Sequence, residues 1–425
     1  MNTPIRSIRG MNDILPAEMH FWNFLESAAE RTFAAFDYQQ IRLPVLEKTA
    51  VFTRAIGSAT DVVSKEMYSF EDRHAESLSL RPEGTAGVVR AALQNGLLYG
   101  QVQRLWYDGP MFRYERPQKG RSRQFHQIGA ELFGAAGPDA DVEILSMGTE
   151  LWQKLGLKNL RLEINTLGNA QERHAYRDKL QAFLRQHESV LDEETNDRVE
   201  RNPLRVLDSK NPDVQALLAD APLLIDQLGD ESRAHYEEVK RCLQLLGIEY
   251  HENPKLVRGL DYYCHTVFEW ITEELGAQGT VCAGGRYDSL VEIQGGKPWP
   301  GIGFAMGKER LIELLKQQNN TPVPRPHAYL VAVGEHSAES ADKLAYDLRA
   351  SNPDLRLVSN LNGGSFKAQF KRADRSGAEL ALVLGEEEIQ QNKLAIKFLR
   401  SGDDQLSLTQ QDAANWIREY IDSRH

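Results

Sequence analysis

The chain has few cysteines, which argues against several kinds of protein. Its 425 residues include only three, Cys242, Cys264 and Cys282. They are too scattered to form a CxxC metal clip or a disulfide framework. A disulfide-stapled secreted protein is therefore not expected, and a reducing cytoplasm is the simplest location.

Long apolar runs are missing as well. No segment approaches the roughly 18–20 consecutive apolar residues that a membrane helix needs. The N-terminal sequence MNTPIRSIRGMNDILP has no apolar stretch of the signal-peptide kind. We therefore expect a cytoplasmic protein that makes no use of a membrane.

The chain also lacks an excess of positive charge. It has 50 Lys and Arg residues against 61 Asp and Glu residues, which gives a net charge of −11. Taken as a whole, this argues against a nucleic-acid binder, whose domain is usually basic. The glycine signatures GxGxxG and GxxxxGK[ST] are missing too, so neither a dinucleotide-binding unit nor a phosphate loop is expected.

One short segment reverses this charge. Arg113–Arg123 contains five basic residues and one acidic residue, Glu115, a local net charge of +4. The segments on either side, Arg104–Phe112 and Gln124–Phe133, have strand-like composition. This pattern predicts a long antiparallel hairpin with a basic tip, although a basic run alone is typical of a solvated loop.

The second strand of this hairpin has an unusual face. Alternation places Phe125, Gln127 and Glu131 on one side of it, and we expect Arg113 to face Gln127 and Glu131 from the other strand. A buried carboxylate needs a partner, because its burial otherwise costs free energy. The face is therefore a candidate site, where Arg113 suits a phosphate and Phe125 a purine ring.

The segment LRPEGT, Leu80–Thr85, offers a second candidate. Glu83 and Thr85 can present a carboxylate and a hydroxyl to an ammonium group. The same residues are common at helix starts, and TAGVVRAALQ that follows is helical in pattern. Both interpretations stay open on the sequence alone.

Two further segments combine glycines with polar residues. In LVRGLDYY, Arg258 stands beside Gly259, and the adjacent tyrosines are predicted to point to opposite faces of a strand. In GIGFAMGKER, Gly301–Arg310, the alternating glycines leave one strand face bare for a flat ligand. A helix is predicted to start near Lys308. The related GGRY, Gly284–Tyr287, is also consistent with a plain turn.

The chain divides into regions of different pattern. Residues 170–250 show the spacing of amphipathic helices, which predicts a helical insertion. The proline-rich segment Pro322–Pro326 predicts a linker. We therefore expect a domain of residues 1–325, interrupted by that insertion, and a domain of residues 326–425. In the latter, strands alternate with helices near Ser337–Ala350, Ser365–Ser376 and the C-terminus, which predicts an α/β fold.

These segments together resemble a known family. Tyr38–Glu47, the hairpin FRYERPQKGRSRQFHQIGAELF and GIGFAMGKERLIELL resemble, in order, the three signature motifs of class II aminoacyl-tRNA synthetases. LVRGLDYY and AGGRYD resemble two segments peculiar to the histidyl-tRNA synthetase family. The resemblance implies an α+β fold, in which a six- or seven-stranded antiparallel sheet carries catalysis and the C-terminal α/β domain binds the anticodon. It also implies a homodimer formed around Pro44.

The activity implied by the resemblance has two steps. L-Histidine and ATP give histidyl-adenylate and pyrophosphate, and the histidyl group then passes to the 3′ end of tRNA(His). The alternative is a catalytically inactive, histidine-sensing regulatory subunit of similar fold. Such a subunit would be expected to lack the anticodon-binding domain and the arginines of the site.

The resemblance also implies roles for individual residues. Those implied for histidine binding are Glu83, Gly84, Thr85, Arg113, Gln127, Glu131, Arg258, Tyr262, Tyr263 and Tyr287. Those implied for ATP are Arg113, Arg121, Phe125 and Arg310. Those implied for the acceptor end of the tRNA are Arg116, Gln118, Lys119 and Arg123.

Arg113 and Arg258 are the residues expected to be catalytic. The carboxylate of histidine is already ionised, so catalysis rests on its alignment and on stabilising charge at the α-phosphorus of ATP. Mg²⁺ is expected on the ATP phosphates with unassigned protein ligands, and no other metal site is expected. The base for the transfer step is unassigned, and Cys264 and His265 have no assigned role.

Overall fold

The computed structural model describes residues 5–57, 60–118, 120–209, 211–276, 279–318, 321–334 and 337–423. They form two compact units, Met1–Thr321 and Pro322–His425. None of the helices described is long and apolar enough to cross a membrane.

The first unit mixes helices and strands along its length. They are α1 (Met19–Ala35), β1 (Gln39–Gln40), β2 (Leu46–Lys48), α2 (Thr49–Ile56), β3 (Ser69–Glu71), β4 (Ser77–Leu80), α3 (Thr85–Gln94), β5 (Gln103–Phe112), β6 (Gln124–Phe133), α4 (Pro138–Leu155), β7 (Arg161–Thr166), α5 (Ala170–Arg185), α6 (Glu193–Arg201), α7 (Pro212–Leu217), α8 (Asp230–Leu245), β8 (His251–Glu252), β9 (Cys264–Ile271), β10 (Thr280–Arg286), α9 (Leu290–Ile293), β11 (Gly301–Gly307) and α10 (Lys308–Gln318).

A large sheet organises this unit. Over the described residues its strand order is β1-β5-β6-β11-β10-β9-β7-β8. The six central strands pair antiparallel, as expected. The two outermost strands differ from the expectation, because the two-residue strands β1 and β8 pair parallel with β5 and β7.

The predicted hairpin is confirmed as β5 and β6, but its register corrects one expectation. Gln127 lies opposite Gly109 and Glu131 lies opposite Leu105. Arg113 comes after the end of β5, where its N–H donates to the Arg123 carbonyl at 2.9 Å. It therefore does not face Gln127 and Glu131 across the ladder, because the strand pairing has already ended at Phe112.

Apolar side chains cover both faces of the large sheet. One cluster joins it to α1, α4, α8 and α10, through residues such as Leu25, Ile144 and Leu311. A second cluster joins it to α2 and α3 and contains Tyr107 and Phe133. Burial of these side chains is the main stabilising term, at about 25 cal/mol per Å² of apolar surface. The second cluster includes the three tyrosines implied for histidine binding.

Helices α5–α8 occupy residues 170–245 and have an apolar cluster of their own. It contains Tyr176, Leu180, Val199 and Val214. Helix α5 begins with a capping box, in which Asn169 accepts from the Glu172 N–H and the Glu172 side chain accepts from the Asn169 N–H.

The second unit is a five-stranded sheet with helices, over the described residues. Its elements are β12 (Ala328–Ala332), α11 (Ser337–Ser351), β13 (Leu357–Ser359), α12 (Phe366–Arg375), β14 (Leu380–Leu384), α13 (Glu386–Gln390), β15 (Lys393–Phe398), β16 (Leu406–Thr409) and α14 (Gln410–Asp422). The order is β13-β12-β14-β15-β16, with parallel pairs first and antiparallel pairs last. The predicted alternation is confirmed. The short elements α13 and β16 were not predicted, because four or five residues carry too little periodicity.

Candidate active site

A cleft of ≈ 230 Å³ opens where the hairpin, the start of α3 and the segment before β9 meet. It is lined by ten of the residues proposed from the sequence, namely Glu83, Thr85, Arg113, Arg121, Phe125, Gln127, Arg258, Tyr262, Tyr263 and Arg310. A wider groove of ≈ 760 Å³ runs along Asn159–Leu162 and Glu249–His251. Its described lining includes none of the proposed residues, so the smaller cleft is the candidate active site.

Glu131 is a buried carboxyl group beside this cleft. Thr85 Oγ1 donates to its Oε1 at 2.6 Å, and the Tyr287 hydroxyl donates to its Oε2. Burial raises the pKa of Glu131 to about 8, although both hydrogen bonds lower it. The group is therefore largely protonated near neutral pH and can share a proton with a bound base.

Glycines of β11 make room for this arrangement. A Cβ at Gly303 would overlap Glu131 Oε2, and a Cβ at Gly301 would lie 2.6 Å from Tyr287 Cε2. The bare face predicted for a flat ligand is therefore filled there by protein side chains. At Gly307, which lines the cleft, an added Cβ would meet no atom within 4 Å, and that end stays open to a ligand.

Glu83 starts helix α3 and lines the cleft as well. Its Oε2 accepts from the Thr85 N–H at 2.7 Å and its Oε1 from the Ala86 N–H at 2.9 Å. The helix-start interpretation is thus confirmed. Burial raises the pKa of Glu83, and the two N–H groups oppose that shift. At Gly84 a Cβ would overlap the Tyr107 ring, so the structure gives Gly84 a packing role.

The tyrosines form one cluster, which corrects the prediction of opposite strand faces. The Tyr262 and Tyr263 ring centroids lie 4.6 Å apart, and Tyr287 lies 5.7 Å and 6.4 Å from them. The reason is that residues 256–263 form a loop, and β9 begins only at Cys264. Bends at 259–260 and a turn at 261–262 precede the strand, and the two rings pack against each other there.

Arg258 is held by an ion pair. It contacts Glu269, whose other oxygen accepts from Thr280 Oγ1 at 2.9 Å. Its guanidinium carbon lies 5.9 Å from the Tyr263 ring centroid. Its Nε is buried and has no hydrogen-bond partner among the described residues. Such a donor is suited to an oxygen atom of a bound ligand.

Two more arginines lie in the same cleft. Arg113 Nε donates to the Pro82 carbonyl at 2.9 Å, and its guanidinium carbon lies 5.3 Å from the Phe125 ring centroid. Burial and then the charge of Arg121 lower the pKa of Arg310. Clustered guanidinium groups repel one another, so an anion would relieve the repulsion between them.

The hairpin tip contains the residues proposed for tRNA. Arg116 and Gln118 are exposed. Arg123 is half-buried, with its guanidinium carbon 3.9 Å from the Tyr114 ring centroid. Arg121 lies 3.3 Å from Glu115. Lys119 lies outside the described residues.

Sequence reasoning missed Glu309, which also lines the cleft. Its carboxylate accepts from the His126 N–H at 2.9 Å and contacts His126 Nδ1 at 2.9 Å. It thereby fixes the start of α10 against β6. Its position next to Arg310 in the GKER sequence could have indicated a place in the site. Nothing in the sequence around Glu269 indicated that it pairs with Arg258.

Comparisons with known proteins agree with this geometry. A family model described as histidyl-tRNA synthetase matches residues 10–311, and one described as anticodon binding domain matches residues 327–420. A histidine–tRNA ligase from Hydrogenovibrio crunogenus is 53% identical over 411 residues, covering 95% of each chain. The structure of apo histidyl-tRNA synthetase from S. aureus has a TM-score of 0.81 at 33% identity, covering 98% of this chain and 100% of that one.

A more distant solved structure, histidyl-tRNA synthetase from a Nostoc species, has a TM-score of 0.71 at 21% identity and shares the fold, covering 98% of this chain and 100% of that one. The regulatory alternative is disfavoured, because an anticodon-binding domain is present and Arg113, Arg258 and Arg310 line the cleft. Because the family model covers residues 10–311 and the 53% identity extends over 411 residues, the chain belongs to the histidyl-tRNA synthetase family.

Proposed function

We propose that the cleft activates L-histidine with ATP and then transfers the histidyl group to the 3′ end of tRNA(His). The observation that carries this proposal is the buried carboxyl group of Glu131, bonded to Thr85 and Tyr287 beside a cleft lined by arginines. A carboxyl group that shares a proton with an imidazole selects histidine over apolar side chains of similar size, which would leave it unpaired.

In this proposal the amino acid occupies the tyrosine end of the cleft. Glu131 and Tyr263 contact the two imidazole nitrogens, and Tyr262 and Tyr287 enclose the ring. Glu83, Thr85 and Gln127 hold the α-ammonium group. The side-chain oxygen Oε1 of Gln127 is buried without a hydrogen-bond partner among the described residues, and an ammonium group would supply one.

The arginine end of the cleft is proposed for ATP. Phe125 stacks on the adenine, Arg310 covers its other face and reaches the γ-phosphate, and Arg121 contributes further positive charge. Arg113 and Arg258 act on the α-phosphate, where negative charge grows as the carboxylate oxygen attacks and pyrophosphate leaves. No protein base is needed for this step, since the attacking carboxylate is already ionised.

Mg²⁺ enters this proposal with ATP, as part of the substrate. Glu115 and Glu309 line the cleft and supply carboxylate oxygens, which are the ligands that Mg²⁺ prefers. Both also have partners in the structure, Arg121 and His126 respectively. The residues of the cleft are therefore compatible with the ion, with most of its ligands coming from phosphates and water.

The experiment that tests the activity is ATP–pyrophosphate exchange with each amino acid in turn. We expect exchange with histidine and none above background with the others. Folded protein that supports no histidine-dependent exchange, or that supports exchange with a different amino acid instead, would overturn the proposal.

The exposed tip of the hairpin leads to a prediction about tRNA. Arg116→Ala should raise the KM for tRNA roughly fivefold, because one phosphate contact is lost. The slope of the logarithm of the binding constant against the logarithm of salt concentration should become shallower by about one. Histidine-dependent exchange should stay unchanged. Lys154→Ala, a half-exposed cation on α4, is the control. An equal loss in exchange and in charging would contradict this role.

We propose that the protein is a homodimer that joins through the sheet of β2, β4 and β3 and the segment around Pro44. Apolar side chains are exposed on this small sheet and just before it, including Val45, Leu46 and Phe70, and several exposed apolar side chains in one part of the fold are consistent with an interface. The reducing cytoplasm, which keeps thiols free, is the proposed location.

Phe70→Glu should convert the dimer to a monomer, since it places a charge in the proposed apolar contact. Light scattering coupled to size exclusion measures the mass. Leu245→Glu, which changes an exposed leucine at the end of α8, should remain dimeric. Wild-type protein that is monomeric at micromolar concentration would refute the interface.

A further inference from the structure

Cys264, His265 and Asp288 lie together at the ends of β9 and β10. Each offers one atom that could ligate a metal, and these three atoms lie within 4.8 Å of one another. All three residues are half-buried. Cys264 directly follows Tyr263, and Asp288 directly follows Tyr287, so the cluster adjoins the pocket proposed for histidine without belonging to it.

The backbone holds His265 in an unusual conformation. Its φ is 44°, in the left-handed region that few residues other than glycine adopt. Its N–H donates to the Gly168 carbonyl at 2.8 Å, and its carbonyl accepts from the Leu167 N–H at 2.7 Å. The imidazole Nδ1 is buried and has no hydrogen-bond partner among the described residues. A buried ring nitrogen without a partner costs free energy, which a ligand would recover.

The other two side chains are oriented by nearby groups. Asp288 Oδ1 accepts from the Gly301 N–H at 3.1 Å and from Arg286 at 3.3 Å, which leaves ligation to Oδ2. The Asp288 N–H donates to Cys264 Sγ at 3.4 Å. Such outer hydrogen bonds orient ligands and support the negative charge of a thiolate.

The charges around the cluster favour a divalent cation. The buried Arg286 contacts both Asp141 and Asp288, so two carboxylates face one guanidinium group. The His235 and His265 rings lie with their centroids 5.6 Å apart and their planes tilted by 31°, and His235 Nε2 lies 3.3 Å from Asp141 Oδ2.

Binding of a metal displaces the proton of the Cys264 thiol to solvent. The three side chains then carry the charges of one thiolate and one carboxylate, which a divalent cation neutralises.

We propose that Cys264, His265 and Asp288 bind a zinc ion, with water as the fourth ligand. Thiolate, imidazole and carboxylate are the donors that zinc takes in tetrahedral sites. Sulfur and nitrogen ligands of a tetrahedral zinc ion lie roughly 3.5 Å apart, so the side chains move inward by about 1 Å on binding. The ion links the chain just after Tyr263 to the chain just after Tyr287.

Cobalt binding tests the proposal directly. The full-length protein is treated with a chelator and titrated with Co²⁺ in the absence of histidine, which itself binds metals. We expect one tetrahedral cobalt per chain with a thiolate charge-transfer band, and its displacement by Zn²⁺. Cys264→Ser should remove the band and weaken binding at least about tenfold. Cys242→Ser, at a half-buried cysteine elsewhere, should leave both unchanged.

Thermal unfolding supplies a second readout. Zn²⁺ should raise the Tm of the wild type and of Cys242→Ser, because it binds the folded state, and should not raise that of Cys264→Ser or His265→Ala. The Cys264→Ser variant is nearly isosteric, and its circular dichroism before metal addition shows whether it has folded. Equal metal affinity in the wild type and folded Cys264→Ser, or a cobalt spectrum without the thiolate band, would overturn the proposal.

Discussion

Replacement of Arg258 by alanine is expected to slow histidyl-adenylate formation roughly 100- to 1,000-fold, the range seen when one donor to a developing charge is removed. Arg258 lies in the cleft with a buried Nε that has no partner among the described residues, and Glu269 fixes its side chain. The loss should fall on kcat more than on the KM for histidine, because the charge at phosphorus grows only in the transition state. Histidine-dependent ATP–pyrophosphate exchange measures both constants.

The matched control for this variant is Arg104→Ala. Arg104 on β5 also forms an ion pair, with Glu143 at 2.8 Å, but it is absent from the lining of the cleft. Its replacement should change exchange by less than about threefold, the range of a modest stability effect. Equal losses in the two variants, or a rate in Arg258→Ala within a few-fold of wild type, would show that Arg258 is not catalytic.

Glu131→Gln is expected to lower kcat/KM for histidine about 100-fold, since a hydrogen bond to a charged group is worth up to about 3 kcal/mol. The KM for ATP should change little, because Glu131 lies beside the end of the cleft that is proposed for the amino acid and contacts Thr85 there. The variant keeps the size of the side chain beside Gly303 and Tyr287. Glu163→Gln, at a buried carboxylate on β7 that pairs with Arg161, is the control and should retain nearly full activity.

The same residue predicts a pH dependence. The carboxyl group of Glu131 has a pKa of about 8, and the free imidazole of histidine has a pKa of about 6.5. Between these values the pair already holds the one proton that it shares when bound. Below about pH 6.5 both groups are protonated, so one proton must be released on binding. Above about pH 8 neither group is protonated, so one proton must be taken up. The KM for histidine should therefore be lowest in this interval.

In the wild type the KM for histidine should begin to rise near pH 8 as Glu131 loses its proton. Glu131→Gln should lose this part of the rise in KM, while the part caused by the α-ammonium group of histidine remains. The comparison of the two profiles isolates the carboxyl group. Superimposable alkaline limbs in the wild type and the variant would refute proton sharing by Glu131.

Much of the fold was predictable from local pattern. The hairpin around Arg113–Arg123, the helix starting at Lys308 and the alternation in the second unit all follow from short-range periodicity and glycine or proline boundaries. The tyrosine pair was placed wrongly, because LVRGLDYY has the composition of a strand but contains the turn that precedes β9. Composition alone does not reveal where a loop ends and a strand begins.

The contacts that organise the site were not predictable in the same way. Glu309 meets His126 across 183 positions of the chain, and Gly303 is adjacent to Glu131 only because β11 pairs with β6. Such neighbours are set by strand order and register, and neither can be inferred from the local pattern of a single sequence. The resemblance to a family supplied the role proposed for Glu131, and the structure supplied its partners Thr85 and Tyr287.

The pairing of β11 with β6 has a consequence for how this protein could change. Glu131 and the glycine that makes room for it are opposite residues of two central strands, so the amino-acid selection proposed for Glu131 depends on the sheet ladder. Exchanging surface loops would leave that pairing intact, whereas a single methyl group at position 303 would displace the carboxyl group of Glu131. If Glu131 has the proposed role, engineering a new amino-acid specificity requires coordinated substitutions in the interior of the sheet, whereas the exposed hairpin tip can be varied one residue at a time.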